Sequence, residues 1–201
     1  MLAAVILAGG ESRRMGSPKA LLPYQGRPFL QHLLEITRHP KIGVRRVVLG
    51  AHAEPIIQAV PLARDEIIIN EEWEKGQLSS IHAAIRSFPA GPECLPSMMT
   101  DGMLLCLVDH PLVSAALVHE LIKAFYSARK LIVLPAYCGK RGHPTIFSSR
   151  LYDELLAAPM DVGARVVVWA HQADIEEVPT AEEGVVLNLN DPEAMRKLTG
   201  D

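Results

Sequence analysis

Leu7-Ala8-Gly9-Gly10-Glu11-Ser12-Arg13-Arg14-Met15-Gly16-Ser17-Pro18-Lys19 follows directly on the apolar run Leu2 to Leu7. A short apolar strand that runs into glycines lets the backbone turn sharply, and without Cβ atoms in the way its N–H groups can close on an anion. Arg14 and Lys19 place two cations in the same loop, which neutralising a polyphosphate requires beyond amide dipoles. A Walker A loop is excluded, because Gly16 is followed by Ser17-Pro18-Lys19 rather than by Lys and Ser or Thr; no Gly-x-Gly-x-x-Gly is present either. An ordinary strand-to-helix turn with solvated charges accounts for the glycines, but less well for Arg14, Met15, Gly16 and Lys19 in one loop.

The rest of the chain reads as scaffold for that loop. Its 201 residues suffice for one α/β domain, residues 1–201, with a well-buried core. A net charge of −3 gives no general attraction to nucleic acid or an anionic membrane, so anion recognition has to be local and the partner small. No apolar run approaches the roughly 20 residues of a membrane span, and the first one lacks a basic leader and breaks at Gly9-Gly10. Cys94, Cys106 and Cys138 show no paired spacing, which suits reduced, structural thiols and a cytoplasmic protein.

Apolar periodicity then alternates between strands and helices. Phe29, Leu30, Leu33 and Leu34 mark a helix between about residues 28 and 38, and Val44 to Leu49 a strand ended by Gly50. A short helix is expected over 53–59 and a strand over 66–69, ending at Asn70. Leu78, Ile81, Ile85 and Phe88 share one face of a helix that Ser79 and Ser80 introduce, and residues 89–102 read as a Pro- and Gly-rich surface excursion. Met103 to Val108 is apolar without alternation, as in a parallel strand buried on both faces. Ser114 is positioned to cap a helix carrying Val118, Leu121, Ile122 and Phe125. Further strands are expected at 131–134, 175–178 and 185–189, further helices near 149–157 and 163–170, and a last helix from Asn190-Asp191-Pro192. This order predicts a single doubly wound, mostly parallel, Rossmann-like α/β sheet.

Ligands of such sheets sit beyond the carboxyl ends of the strands, where the Gly9 loop, Asn70, Asp109 and Asn190 all fall. Asp109 follows a fully apolar strand, so its carboxylate reaches that rim and can serve Mg²⁺, which takes one or two carboxylates with phosphate oxygens and water. A helix cap is the alternative role. Asn188, Asn190 or Asp191 could supply a second oxygen, Asn190 being preferred; Asp191 equally suits a helix cap. No His or Cys pair has zinc spacing, and Ser79-Ser80 lies in no Gly-x-Ser-x-Gly frame. The two serines read instead as helix-start donors to a base, sugar or phosphate.

Leu7 to Lys19, Asn70, Gly76-Gln77-Leu78-Ser79-Ser80, Val108-Asp109-His110-Pro111 and Asn188-Leu189-Asn190-Asp191-Pro192 together resemble the molybdenum-cofactor nucleotidyltransferases, within the wider nucleoside-triphosphate transferase superfamily and its nucleotide-diphospho-sugar transferase fold. The segments 139–144 and 161–165 resemble the cytidylyltransferase branch, on its acceptor side. Gly9, where that branch typically has Ala, and Asn188-Leu189-Asn190 resemble the guanylyltransferases instead.

The resemblance implies a nucleoside triphosphate, CTP narrowly favoured over GTP by the acceptor-side segments and the cytidyl-like Gly76-Gln77-Leu78-Ser79-Ser80, over Leu7, Ala8, Gly9 and Gly10, with Asn70, Ser79 and Ser80 beside it and Arg14 and Lys19 on its phosphates. Mg²⁺ would sit on Asp109 and Asn190, and Gly142, His143 and Pro144 would face the acceptor, a molybdopterin-type cofactor destined for a molybdenum enzyme. Arg14, Lys19 and Asp109 would then carry catalysis by positioning and charge, without a side-chain nucleophile. Two other readings keep parts of this: a transferase acting on a sugar or polyol phosphate, and a non-catalytic protein that binds and delivers the cofactor.

Overall fold

A computed structural model describes residues 1–12, 16–89 and 99–189 of the chain. Strand β1 (Leu2–Ala8) is buried along its whole length and lies at the middle of an eight-stranded sheet. It pairs in parallel with β4 (Ile42–Leu49) on one side and β6 (Gly102–Leu107) on the other. β5 (Ile67–Ile69) continues the sheet beyond β4. Beyond β6 come β9 (Thr145–Ser148), β7 (Ile132–Tyr137) and β10 (Ile175–Pro179), with β8 (Lys140–Arg141) folded back on β7. A separate hairpin, β2 (Pro23–Tyr24) and β3 (Arg27–Pro28), leads into the first helix.

The uninterrupted apolar run of β1 follows from this position, because successive side chains point to opposite faces and both faces are covered. Leu2 and Ile6 pack into one core with α1 (Phe29–Ile36), α2 (Ala53–Ala59) and α4 (Ala115–Ala128). Ala3, Val5 and Leu7 pack into the other with α3 (Gln77–Arg86), α5 (Tyr152–Ala157) and α6 (Arg165–Ala170). Each fully buried Leu or Ile side chain contributes about 1.5–3 kcal/mol, so this strand anchors both layers. The doubly wound α/β architecture expected from the alternation of strands and helices is present.

β9 is antiparallel to both neighbours, with Leu105 opposite Thr145 and Ile132 opposite Phe147. Its first residue, not its last, therefore lies at the carboxyl end of β6. That reversal delivers Gly142-His143-Pro144 to the same rim as Asp109.

Residues 185–189 form no strand. A 3-10 turn (Glu183–Val185) opens a strap whose hydrogen bonds go to loops instead of a ladder: Val185 O accepts from His143 N (2.9 Å), and Leu189 N donates to Asp109 O (2.9 Å). Close backbone packing requires glycine here, since a Cβ on Gly184 would lie 2.0 Å from Leu112 O and one on Gly142 2.3 Å from Val185 O. The expected final helix lies outside the described residues, as does most of the surface excursion at 89–102.

Candidate active site

Two cavities adjoin, the first at the carboxyl ends of β1 and β6 and the second against β6, β7, β9 and α3. The first, of about 380 Å³, is lined by Leu7 to Gly10, Ser12, Lys19, Trp73, Ser80, Asp109 and Asn188 among others. The loop after β1 is tied down from both sides: Gly9 O accepts from Ala51 N (3.2 Å), and Lys19 N donates to the Ser12 hydroxyl (3.1 Å). Gly50 permits the first contact, because a Cβ there would lie 2.5 Å from Gly9 O. The Ser12 bond closes the loop so that Lys19 turns inward, where its ammonium stands 3.4 Å from the Asp109 carboxylate. Both side chains are mostly shielded, so this charge pair is more strongly coupled than one in bulk water.

Behind that cavity lies a polar layer centred on Asn70. Its Oδ1 accepts from Glu72 N (3.0 Å), which fixes the amide orientation, since a backbone N–H can only donate. Its Nδ2 consequently donates to Ser79 Oγ (2.8 Å) and Ser80 Oγ (3.0 Å). The Ser79 hydroxyl has Gly76 O and Glu72 O as acceptors and is turned away from the cavity. Ser80 lines the cavity, and among the described residues no acceptor takes its proton, so it faces the cavity as a donor. Helix α3 begins at Gln77, with Gly76 as its cap at φ +95°, a backbone region that favours glycine. Ser79 and Ser80 are thus inside the first turn and do not cap it.

The second cavity, about 360 Å³, has an apolar floor of Leu78, Ile81, Leu105, Leu134 and Phe147. Arg141, Gly142, His143, Thr145 and residues 160–165 complete its wall. Arg165 is held by a bond from its Nε to Val162 O (2.7 Å), and Arg141 by Glu177 and Gln172 (2.7 Å each). His143 packs on His110 with ring centroids 5.1 Å apart. Nδ1 of each ring is buried with no partner among the described residues. Burial, with His110 adding to it and Asp109 opposing it, pushes the His143 imidazole down to about 4. Burial also lowers His110, against the pull of Asp109 and of backbone acceptors at Gly184 and Val185. Both rings are therefore neutral at pH 7.

The residues expected from sequence divide accordingly. Leu7, Ala8, Gly9, Gly10, Lys19, Ser80 and Asp109 meet around the first cavity, and Gly142 and His143 line the second. Asn70 and Ser79 stand one layer back and orient Ser80. Pro144 faces a closed crevice beside His110 rather than the acceptor cavity, because the chain is already turning into β9. Arg14, Asn190 and Asp191 lie outside the described residues. Ser12 and Gln77, which belong to the motifs quoted from the sequence but carry no expected role there, also line the first cavity, as does Trp73, which belongs to none of them. An isolated Trp in a polar stretch between a strand and a helix was the available signal for Trp73.

A doubly wound sheet with a glycine loop, lysine and carboxylate at its carboxyl rim defines a nucleotide-handling transferase. Residues 4–175 match the MobA-like NTP transferase domain, so the chain belongs to that family and is a nucleotidyltransferase. Among curated relatives, it is 28% identical to nicotine blue oxidoreductase of Paenarthrobacter nicotinovorans, over 96% of this chain and 94% of that one. It is 31% identical to bifunctional GlmU of Desulfitobacterium hafniense over 70% of its length, spanning only 29% of GlmU. Among solved structures, Rv0371c of Mycobacterium tuberculosis superposes with a TM-score of 0.80 at 26% identity, covering 100% and 99% of the two chains. The manganese complex of Rv0371c gives 0.71 at 23%, over 100% and 98%. Molybdopterin-guanine dinucleotide biosynthesis protein A of Archaeoglobus fulgidus gives 0.67 at 19%, over 98% and 96%, a likeness of fold.

Proposed function

We propose that the chain, acting as one cytoplasmic domain, transfers a nucleoside monophosphate from CTP or GTP to the terminal phosphate of a molybdopterin-type cofactor, releasing pyrophosphate. One observation carries this reading: a cavity that holds the Gly9-Gly10 backbone, Lys19 and Asp109 adjoins a second of similar volume with an apolar floor and Arg141, Asp161 and Arg165 in its wall. The first suits a triphosphate; the second suits a partly apolar, anionic acceptor larger than a simple sugar phosphate.

Lys19 and the Gly9-Gly10 amides, with Arg14 added from the sequence, would hold the phosphates, while Ser80 donates to the nucleotide and Trp73 offers an aromatic face to the base. The donor set fits Mg²⁺ in part: Asp109 and the Asn188 amide line the same cavity, and no cluster of three His, Cys, Asp or Glu exists among the described residues. Phosphate oxygens and water would complete the shell, as Mg²⁺ prefers, with Asn190 as a further candidate ligand. When bound, the ion would supply charge neutralisation at the phosphates. Gly142, His143 and the segment 161–165 would hold the acceptor, His143 as a neutral imidazole.

Pyrophosphate release, measured with each triphosphate plus molybdopterin cofactor or a sugar phosphate and with Mg²⁺ present, tests the reading. Release with cofactor and either CTP or GTP is expected. Release only with a sugar phosphate would favour a transferase acting on a sugar or polyol phosphate; tight cofactor binding without release would favour a delivery role.

A further inference from the structure

Gln77 is the one residue, among those described, that lines both cavities. Its place follows from local structure: Gly76 at φ +95° turns the chain after the 3-10 turn Trp73–Lys75, and Gln77 is the first residue of α3. The helix then buries Leu78 and Ile81 in the floor of the acceptor cavity while Ser80 reaches the donor cavity. Gln77 therefore stands where the two spaces meet. It is exposed, and its carboxamide has no hydrogen-bond partner among the described residues.

Resting on the transferase reading above, we infer that Gln77 is a further catalytic residue, whose carboxamide N–H donates to a non-bridging oxygen of the α-phosphoryl group during transfer. An oxygen of the acceptor phosphate forms the new bond to the α-phosphorus. The bond from that phosphorus to the bridging oxygen breaks, and its electron pair leaves with pyrophosphate. Charge redistributes onto the non-bridging oxygens in between, at the boundary between donor and acceptor spaces. A neutral donor at that point stabilises the charge without competing for a proton, because an amide neither gains nor loses one at pH 7. Lys19 and Asp109 line the first cavity only and do not line the acceptor cavity.

The test is steady-state pyrophosphate release by wild type, Gln77→Ala and Gln77→Glu with the cofactor and the preferred triphosphate, alongside nucleotide titration and thermal unfolding. Gln77→Ala is expected to lower kcat by roughly 10- to 10²-fold, within reach of the loss seen on removing one preorganised donor. Its KM for either substrate should stay within about threefold, since one neutral contact is removed chiefly from the transition state. Gln77→Glu should fall further, by repulsion of the phosphates. An unchanged melting temperature is expected for both, as the side chain is exposed. Wild-type kcat in Gln77→Ala, or a rise in KM alone, would overturn the assignment while leaving the transferase reading intact. No release by wild type with any acceptor would overturn both.

Discussion

The donor and acceptor cavities are nearly equal in volume but differ in what builds them. Backbone and the ends of parallel strands make the donor side: Ala8 ends β1, Asp109 follows β6, and Gly50 lets its main chain close on Gly9 O. The acceptor side is made of side chains on α3, β6, β7 and β9, and of a loop delivered backwards by the antiparallel β9. Loop backbone at strand ends is dictated by a few residues at fixed spacing, whereas a side-chain floor tolerates any set of similar volume.

That contrast can be broken at its charged side first. Lys19→Ala and Asp109→Asn should each lower kcat/KM by roughly 10²-fold or more, the loss expected for one preorganised charge contact. Acceptor affinity, measured by titration without nucleotide, should hardly move. Wild-type turnover by Asp109→Asn would remove the metal assignment and with it the asymmetry between the two cavities.

The strap that bonds the backbone of both His143 and Asp109 comes next. Gly184→Ala places a methyl 2.0 Å from Leu112 O and 2.6 Å from Leu112 Cβ, so the strap or the Leu112 backbone has to shift. A loss of up to about 3 kcal/mol is expected from such overpacking, read by denaturant unfolding. An unchanged midpoint would show that the strap is loosely seated.

Acid tests the acceptor wall. An imidazole lowered from 6.5 to about 4 in the folded protein binds fewer protons than in the unfolded chain between those values. The stability this represents is intact above about pH 6.5 and is lost progressively as pH falls to about 4, by up to about 3 kcal/mol. His110 shifts in the same direction. Unfolding midpoints for wild type and His143→Gln at pH 7 and pH 5 measure it: the wild type should lose more. Equal losses would mean that His143 is not held neutral.

The smallest effect belongs to Gly9. A Cβ there meets Ser80 Oγ at 3.4 Å and Gly50 N at 3.5 Å, ordinary contact distances, and Gly9 is not at positive φ. Gly9→Ala should change stability by less than about 0.5 kcal/mol, leaving any change in the ratio of CTP to GTP turnover readable as a local effect on the nucleotide.

The same contrast explains what the sequence made legible. Continuous apolar runs at 2–7 and 103–108 and the loop that starts at Ala8 carry their own spatial meaning, so the parallel sheet could be read directly, as could the gathering of Gly9, Gly10, Lys19 and Asp109 around one cavity. The antiparallel direction of β9 left no mark in the short stretch Thr145 to Phe147, and the acceptor segments were recognised by resemblance alone. Val185 to Leu189 has the apolar composition of a strand, yet its hydrogen bonds go to Asp109 and His143 across loops. Gly142 and Gly184, which allow that close backbone packing, give no sign of it locally. Asn70 was picked out as a ligand contact because it ends a strand at the rim; its buried bonds to both serines make it the group that aims Ser80.

The central claim is that donor and acceptor occupy two cavities meeting at Gln77. A crystal structure with a non-hydrolysable CTP or GTP analogue, Mg²⁺ and molybdopterin cofactor tests it most directly. The triphosphate is expected over Gly9-Gly10 beside Lys19 and Asp109, the cofactor against Leu78, Phe147 and His143, and the α-phosphorus next to Gln77. A nucleotide bound across the Arg141 and Arg165 cavity, with the Gly9 loop empty, would contradict it.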